Sequence, residues 1–266
     1  MKKGFITLLL VVLSLSLLSA CGVFQEVEAP SATLEAIPLE TQSAGVATSA
    51  PAEPTEAPAE PTAASAEPTA APVEATVAPT EEPAASAGTA QVYTIDSAAS
   101  QVRFEIGEDL RGARNNVVGT TDQVAGQISV NLADLSQTEV GIIQINARTL
   151  VTDNDFRNRA INNEILDTGD FEFITFTPTA VEGLPASATI GEAISFSIVG
   201  DLTIRDITVP ATFNVEATAV SETQITGTAT ATINRADYNL QIPSVPSVAN
   251  VDEQVQLFID FTANAS

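Results

Sequence analysis

Residues 200–215, G-D-L-T-I-R-D-I-T-V-P-A-T-F-N-V, read as two strands joined by a tight corner. Leu202 and Ile204 alternate with Asp201, Thr203 and Arg205. Beyond the corner, Phe213 and Val215 alternate with Thr212, Asn214 and Glu216. A period of two sends apolar side chains to one face and polar ones to the other, as in a strand with one buried and one wet face. Asp206 and Pro210 bracket the corner. Pro210 has no N–H to give a ladder, so it is expected at the start of the second strand.

The same rhythm extends outward over residues 91–266. Val102, Phe104 and Ile106 alternate with Arg103 and Glu105; Val124, Ile128, Val130 and Leu132 form a run around Gly126; Val140 to Ala147 form another. Phe171, Phe173 and Phe176 mark a further strand, then Ile194, Phe196 and Ile198. The Thr-rich stretch Ile225 to Ile233 and the closing Val255, Leu257, Ile259 and Phe261 complete the series. About eight or nine strands at short spacings argue for an antiparallel sandwich or barrel rather than βαβ units. One segment departs from the pattern: in 153–166, Phe156, Ala160, Ile161 and Ile165 fall near helical spacing, and Thr152 or Asp153 is placed to cap one or two turns.

Composition narrows the function. The 266 residues hold 10 Lys plus Arg against 34 Asp plus Glu, a formal charge of −24, with no His, no Trp and one Cys. Such a surface repels phosphate backbones, which argues against nucleic-acid binding. Without His the chain lacks the commonest general base and metal ligand, which argues against an enzyme. No Gly-rich phosphate loop, nucleophile elbow or zinc motif is present, so no cofactor is expected. Asp153, Asp155, Glu164, Asp167 and Asp170 are close in sequence but lack calcium-loop spacing, and no metal is expected either.

Before the strands come two other kinds of sequence. Lys2 and Lys3 precede an apolar run from Phe5 to Leu18, too short for a comfortable span and suited to a secretory leader. It ends in Leu18-Ser19-Ala20-Cys21, which resembles a bacterial lipobox, so residues 1–21 are expected to be a lipoprotein signal peptide and Cys21 the lipidated residue. The implied partner is a bacterial membrane, with the protein extracytoplasmic, in the periplasm or on the outer surface. Residues 22–90 read as a disordered tether. From 25 to 90 they carry 10 of the 15 Pro and 11 Glu, with no Asp, Lys, Arg or aromatic residue. Such a segment buries too little to offset its ordering entropy, and fully extended it reaches on the order of 200 Å.

The strand-rich region also carries a resemblance. Tyr93-Thr94-Ile95-Asp96 with Ser100, Val102 and Phe104, then Ile145-Asn146-Ala147-Arg148-Thr149-Leu150-Val151-Thr152, are similar to segments of the YceI-like family. So are Arg157-Asn158 with Ile165-Leu166-Asp167, the 200–211 segment, Arg235-Ala236-Asp237-Tyr238, and Asp252 with Val255 and Leu257. Ala99 and Ala160 stand where that family has His, and Asp206 where it usually has Gly. The resemblance implies an all-β fold, an antiparallel lipocalin-like barrel of about eight strands that holds a polyisoprenoid chain. The implied function is a lipid-anchored binding protein storing or carrying an isoprenoid such as a quinone or polyprenyl lipid; the alternative is an interaction or stress-response module with a filled core. Lumen candidates are Phe104, Ile143, Ile145, Phe156, Ile161, Phe171, Phe176, Phe196, Ile198, Leu202 and Phe213, each of which could equally be plain core. Arg157, Arg235 and Asp237 are the polar candidates for a head group; a solvated face for Arg157 and a structural Arg235–Asp237 bridge are the alternatives. The resemblance also implies pairing into a homodimer.

Overall fold

A computed structural model describes residues 26–31, 33–39 and 89–266. The expected leader with Cys21, and residues 22–25, 32 and 40–88 of the expected tether, lie outside the described residues. Thirteen strands form one antiparallel sheet: β1 (Gln91–Ile95), β2 (Gln101–Leu110), β3 (Ala113–Thr121), β4 (Val124–Ala125), β5 (Gln127–Val130), β6 (Glu139–Val140), β7 (Ile143–Asn146), β8 (Phe173–Glu182), β9 (Ala193–Ile204), β10 (Ile207–Ser221), β11 (Gln224–Asn234), β12 (Val248–Ala249) and β13 (Gln254–Ala265). The order β4-β7-β8-β9-β10-β11-β13 curls, and β13 then pairs both β1, at its end, and β2, at its middle. β2 pairs β3, which runs through Asp122 and Gln123 into β4 and so back to β7. The sheet therefore wraps around one interior. Among the described residues no ladder joins β6 to the far half of β8, which leaves a seam on one side.

The decisive stretch folds with one difference. β9 and β10 form a hairpin with Ile204 opposite Ile207, so the corner is Arg205-Asp206 alone and Pro210 lies inside β10, opposite Asp201. It is tolerated because β11 joins β10 only from Asn214 onward, leaving the first part of β10 as an edge where a missing N–H costs no ladder bond. The β2–β3 hairpin turns on Arg111 and Gly112, both with positive φ (53° and 83°), as a two-residue primed turn demands. The run around Gly126 divides into β4 and β5, and the run from Val140 into β6 and β7. At Gly200 the backbones crowd: an added Cβ would lie 2.5 Å from the Thr177 carbonyl oxygen and 2.7 Å from the Phe176 ring, so only glycine lets that ring sit inward across β9.

The helical segment is α1 (Asp155–Ala160) continued by a π turn over Ile161–Ile165. Its cap is Asn154, not Thr152 or Asp153: the Asn154 side chain accepts from the Arg157 N–H at 3.0 Å. Thr152 instead donates its hydroxyl to Asn158 Oδ1 at 2.7 Å, tying the loop to the helix.

Part of the expected tether departs from the disordered reading. Residues 26–31 and 33–39 lie against the domain as a strap. Arg148 is the main fastening: its guanidinium pairs with Glu28 and Glu172, each at 3.2 Å, and donates to the Ala29 carbonyl. The Ser31 N–H donates to Glu172 Oε1 at 2.8 Å, and the Leu39 N–H to Gln127 Oε1 at 3.2 Å. Leu39 sits at the seam, in a groove between Thr138–Ile142 and Thr177–Val181. Composition alone did not show this docking, because it depends on a buried Arg–Glu pair contributed by β7, β8 and their loops.

Candidate functional site

The interior is apolar and incompletely filled. On its wall stand the alternating residues of β8, β9, β10, β11 and β13, packed into one continuous core. Two cavities lie in it among the described residues. The first, of about 100 Å³, lies between Ile143, Phe176, Phe196, Ile198 and Phe213 of the sheet and is closed at one end by Leu135 and Leu184. The loops that close it are pinned to each other: the Leu135 N–H donates to the Ala186 carbonyl at 3.0 Å, and the Ala188 N–H to the Leu132 carbonyl at 2.9 Å. The second, of about 160 Å³, lies between Phe104, Ile161, Ile204 and Leu257, under the π turn.

A belt of small and branched side chains separates the two. Val102, Val124, Ile145, Leu202 and Ala231 are buried on the inward faces of β2, β4, β7, β9 and β11 and stand in neither cavity wall. Beside the belt, the Phe176 and Phe213 rings meet edge-on, with centroids 4.8 Å apart at 65°, a favoured aromatic geometry. The lumen is thus a filled waist with a void on either side. Each void is on the scale of an engineered apolar cavity of about 150 Å³ that takes up benzene.

The lumen candidates sort accordingly. Ile143, Phe176, Phe196, Ile198 and Phe213 line the first cavity, Phe104 and Ile161 the second, and Ile145 and Leu202 form the waist. Two candidates are misplaced by the sequence reading. Phe156 is 63% exposed, on the outer side of α1, because helical spacing aligned it with Ala160 while the π turn gives the inward place to Ile161. Phe171 precedes β8, and its ring stacks under the Arg205 guanidinium at 5.6 Å, outside both cavities.

The polar candidates also divide. Arg157 and Arg235 stand in the wall of the second cavity, and each is already engaged. Arg157 pairs with Glu108 at 2.9 Å and with Asp153 at 2.5 Å. Arg235 donates to the carbonyls of Asp252 at 3.0 Å and Leu240 at 3.2 Å, and pairs with Glu253. The expected Arg235–Asp237 bridge is not formed. Asp237 is exposed at the surface and accepts from Asn234 Nδ2 at 3.1 Å, because the 3₁₀ turn of 235–238 carries it away from the guanidinium.

Glu108 and Thr138, polar residues of the cavity walls, escaped the sequence reading. Glu108 is only 5% exposed. Counting by twos from Val102 through Phe104 and Ile106 reaches Glu108, so the alternation that defined β2 already placed a carboxylate inside. Thr138 stands between the first cavity and the groove that holds Leu39, and among the described residues its Oγ1 is buried without a hydrogen-bond partner. No pattern in the chain announces it.

Residues 93–263 match the YceI-like domain family. The chain belongs to the YceI-like family. The match covers the whole sheet except the outermost residues of β1 and β13. Among curated relatives, the UPF0312 protein SAS2572 of Staphylococcus aureus strain MSSA476 is 30% identical over 155 residues, 56% of this chain and 81% of that protein. The UPF0312 protein SAB2563 of the bovine strain RF122 is 31% identical over the same shares. Among solved structures, a polyisoprenoid binding domain from Saccharophagus degradans superposes with a TM-score of 0.53 at 17% identity, over 66% of this chain and 99% of that one. Burkholderia cenocepacia BcnA superposes with a TM-score of 0.50 at 18% identity, over 64% of this chain and 99% of that one. These likenesses establish the lipocalin-like curled sheet for the YceI-like domain.

Proposed function

We propose that this protein is a lipid-anchored, extracytoplasmic binding protein that holds a hydrophobic isoprenoid, such as a quinone or polyprenyl lipid, in its lumen for storage or transport. The observation that carries the reading is the pair of apolar cavities on one axis, separated by a waist of side chains. Family membership and the polyisoprenoid binding named for the S. degradans domain support a binding protein rather than an enzyme. Affinity comes from burying tail surface, at roughly 25 cal/mol per Å² before the costs of association. Each cavity as shaped takes a short segment of chain. A longer tail threads both only when the waist parts at Leu202 and at the Phe176–Phe213 pair.

Cys21 supplies the anchor. An acyl pair on that residue would hold the protein firmly, since one chain alone binds a membrane only marginally. Two measurements test the reading. Intact mass of the mature protein is expected to show a chain beginning at Cys21 with added acyl groups, lost in Cys21→Ser; a free thiol at residue 21 refutes the anchor. Native mass spectrometry of the chain from Glu26 onward, purified without detergent from a lipid-containing host, is expected to show a discrete added mass that fragments in isoprene units. A bare mass that persists after incubation with quinones and polyprenols refutes the lumen as a carrier site.

A further inference from the structure

We infer that residues 147–172 form a membrane-facing surface. While the strap is docked, this end of the sheet lies against the bilayer that carries the anchor, and the Phe156 ring enters the headgroup region. The inference rests on the lipidation of Cys21 proposed above and adds to it which face of the domain the bilayer meets.

The argument begins with where the strap is fastened. Residues 147–172 run from the end of β7 to the start of β8 and close the second cavity with Leu150, Ile161, Ile165 and Leu166. They therefore cap the end of the sheet at which β9 finishes, since Ile204 stands in the same cavity wall. Arg148, inside this cap, holds Glu28 and the Ala29 carbonyl of the strap. The chain from Cys21 to Glu28 spans at most about 25 Å even when fully extended. β9, from Ala193 to Ile204, is about 40 Å long at ~3.3 Å per residue. A docked strap thus keeps the acyl groups within about 25 Å of the strap's fastening on the cap, less than the length of the sheet. A released strap lets the domain out to the full reach of residues 22–90, on the order of 200 Å.

The fastening is joined to the helix of the cap. The Arg148 guanidinium also donates to the carbonyls of Thr168 at 2.7 Å and Gly169 at 2.9 Å. Thr168 donates its hydroxyl to Asn162 Oδ1 at 3.0 Å, and the Asn162 amide donates to the Asn158 carbonyl at 2.9 Å. One chain of hydrogen bonds therefore runs from the strap to α1. On the outer side of α1 the Phe156 ring is exposed, with the Arg159 guanidinium over it at 5.9 Å, and Val151 just ahead of the helix is more than half exposed. An exposed ring beside a cation suits the boundary between acyl chains and headgroups, where one part of the pair is apolar and the other wet. Exposure alone does not choose this end. Val220 is also exposed, and it lies just beyond Thr218, which pairs with Ala193 at the far end of β9. Single exposed apolar residues are ordinary. The strap makes the choice. Asp153, Asp155, Glu164, Asp167 and Asp170 of the cap oppose Arg157 and Arg159, so the contact is apolar and not a charge attraction, and it depends on the anchor to persist.

The chain has no Trp, so Phe156→Trp and Val220→Trp each supply a single reporter, one at either end of the sheet. The full chain is lipidated in a bacterial host and reconstituted on phosphatidylcholine vesicles that contain brominated lipid as quencher. In Phe156→Trp the emission is expected to shift to the blue and to be quenched; in Val220→Trp it is expected to stay as in water. Adding Glu28→Ala, Ser31→Pro and Leu39→Ser alters the strap alone. It is expected to return the Phe156→Trp emission to that in water while the protein still floats with the vesicles. Emission from Phe156→Trp that is unshifted and unquenched on vesicles carrying the protein overturns the membrane-facing surface and leaves the anchor reading standing. Equal quenching of the two reporters overturns the choice of end, and quenching that survives the strap changes overturns the strap's part in it. A protein that does not float with the vesicles overturns the anchor reading, and this inference with it.

Discussion

Replacing Arg157 by methionine is expected to cost about 3 kcal/mol of stability. The figure follows from what surrounds Glu108. That carboxylate is 5% exposed on the inward face of β2, and Arg157 Nη2 meets it at 2.9 Å. Removing one member of a buried pair typically costs about 3–5 kcal/mol, because a charge is left in a poor dielectric without compensation. The lower end applies here for two reasons. Asn115 Nδ2 still donates to Glu108 at 3.2 Å, and the adjoining void of about 160 Å³ has room for water. The outer contact of Arg157, with the 83%-exposed Asp153, adds little. In a domain of this size 1 kcal/mol moves the midpoint by about 2–4 °C, so Arg157→Met should melt about 6–12 °C lower. The double variant Glu108→Leu, Arg157→Met removes both charges and keeps the volume. It should regain most of the loss, since a buried pair and a well-packed apolar pair are often close in free energy. Thermal unfolding of the four proteins by circular dichroism closes the cycle. A single variant within about 1 kcal/mol of the parent, or a double variant that loses the full sum of the singles, would show that Glu108 draws its compensation from elsewhere and refute the reasoning.

Three further outcomes check other parts of the structure. Phe156→Ala should change stability by less than about 0.5 kcal/mol, whereas Ile161→Ala should cost about 2–5 kcal/mol; equal costs would return Phe156 to the interior. Burial alone would raise the Glu172 carboxyl, but the side chain and N–H of Ser31, the Asn146 amide and the Arg148 charge together hold it below the usual carboxylate range. The stability this gives the strap is therefore present above the unfolded value of about 4.3 and is lost as pH falls through the lower folded one. The Ser31 amide should be protected relative to its intrinsic exchange rate at neutral pH, lose that protection in strong acid, and lack it at every pH in Glu172→Gln; protection that ignores both changes would remove Glu172 from the fastening. Burial, and then the charge of Asp237, push the Tyr238 phenol up to about 12. This group supports the fold fully below the unfolded value of about 10, and its support fades as pH rises through the folded one. An ultraviolet titration should therefore find Tyr238 un-ionised at pH 10.5, and a native tyrosinate signal from it there would contradict its burial.

The sheet was legible wherever one face is wet, because apolar alternation runs through β9, β10 and β13 and through β2 as far as Ile106. It failed for β3. Ala113–Thr121 is largely polar, and its inward side offers Gly119, whose space is filled by the ring of Phe104 from the facing strand. A strand that borrows its core from a neighbour has no apolar period of its own. The helical segment was visible as a period, but the change from α to π geometry at Ile161 shifted which residue faces inward, and Phe156 was misread for that reason. The candidate site was legible as a set of wall residues and not as a shape. Whether Leu202 fills the waist or Phe196 borders a void depends on how side chains from nearly all the strands meet, a sum of volumes that no local pattern records. Thr138 and the strap share the same difficulty. One depends on the absence of a partner, the other on Arg148 and Glu172 coming together from two strands' ends.

The strap also sets the path along which force travels. A pull applied ahead of Glu26 is met first by Arg148 and Glu172, not by the sheet. Those contacts lie in series along the segment, with Glu28 and Ser31 first and Leu39 after them, so they peel one at a time under modest load. β1 is held differently: it lies between β5 and β13, with its hydrogen bonds side by side, and must be sheared as a unit. Tension on the front of the chain therefore strips the strap before it loads β1, and leaves the lumen at rest.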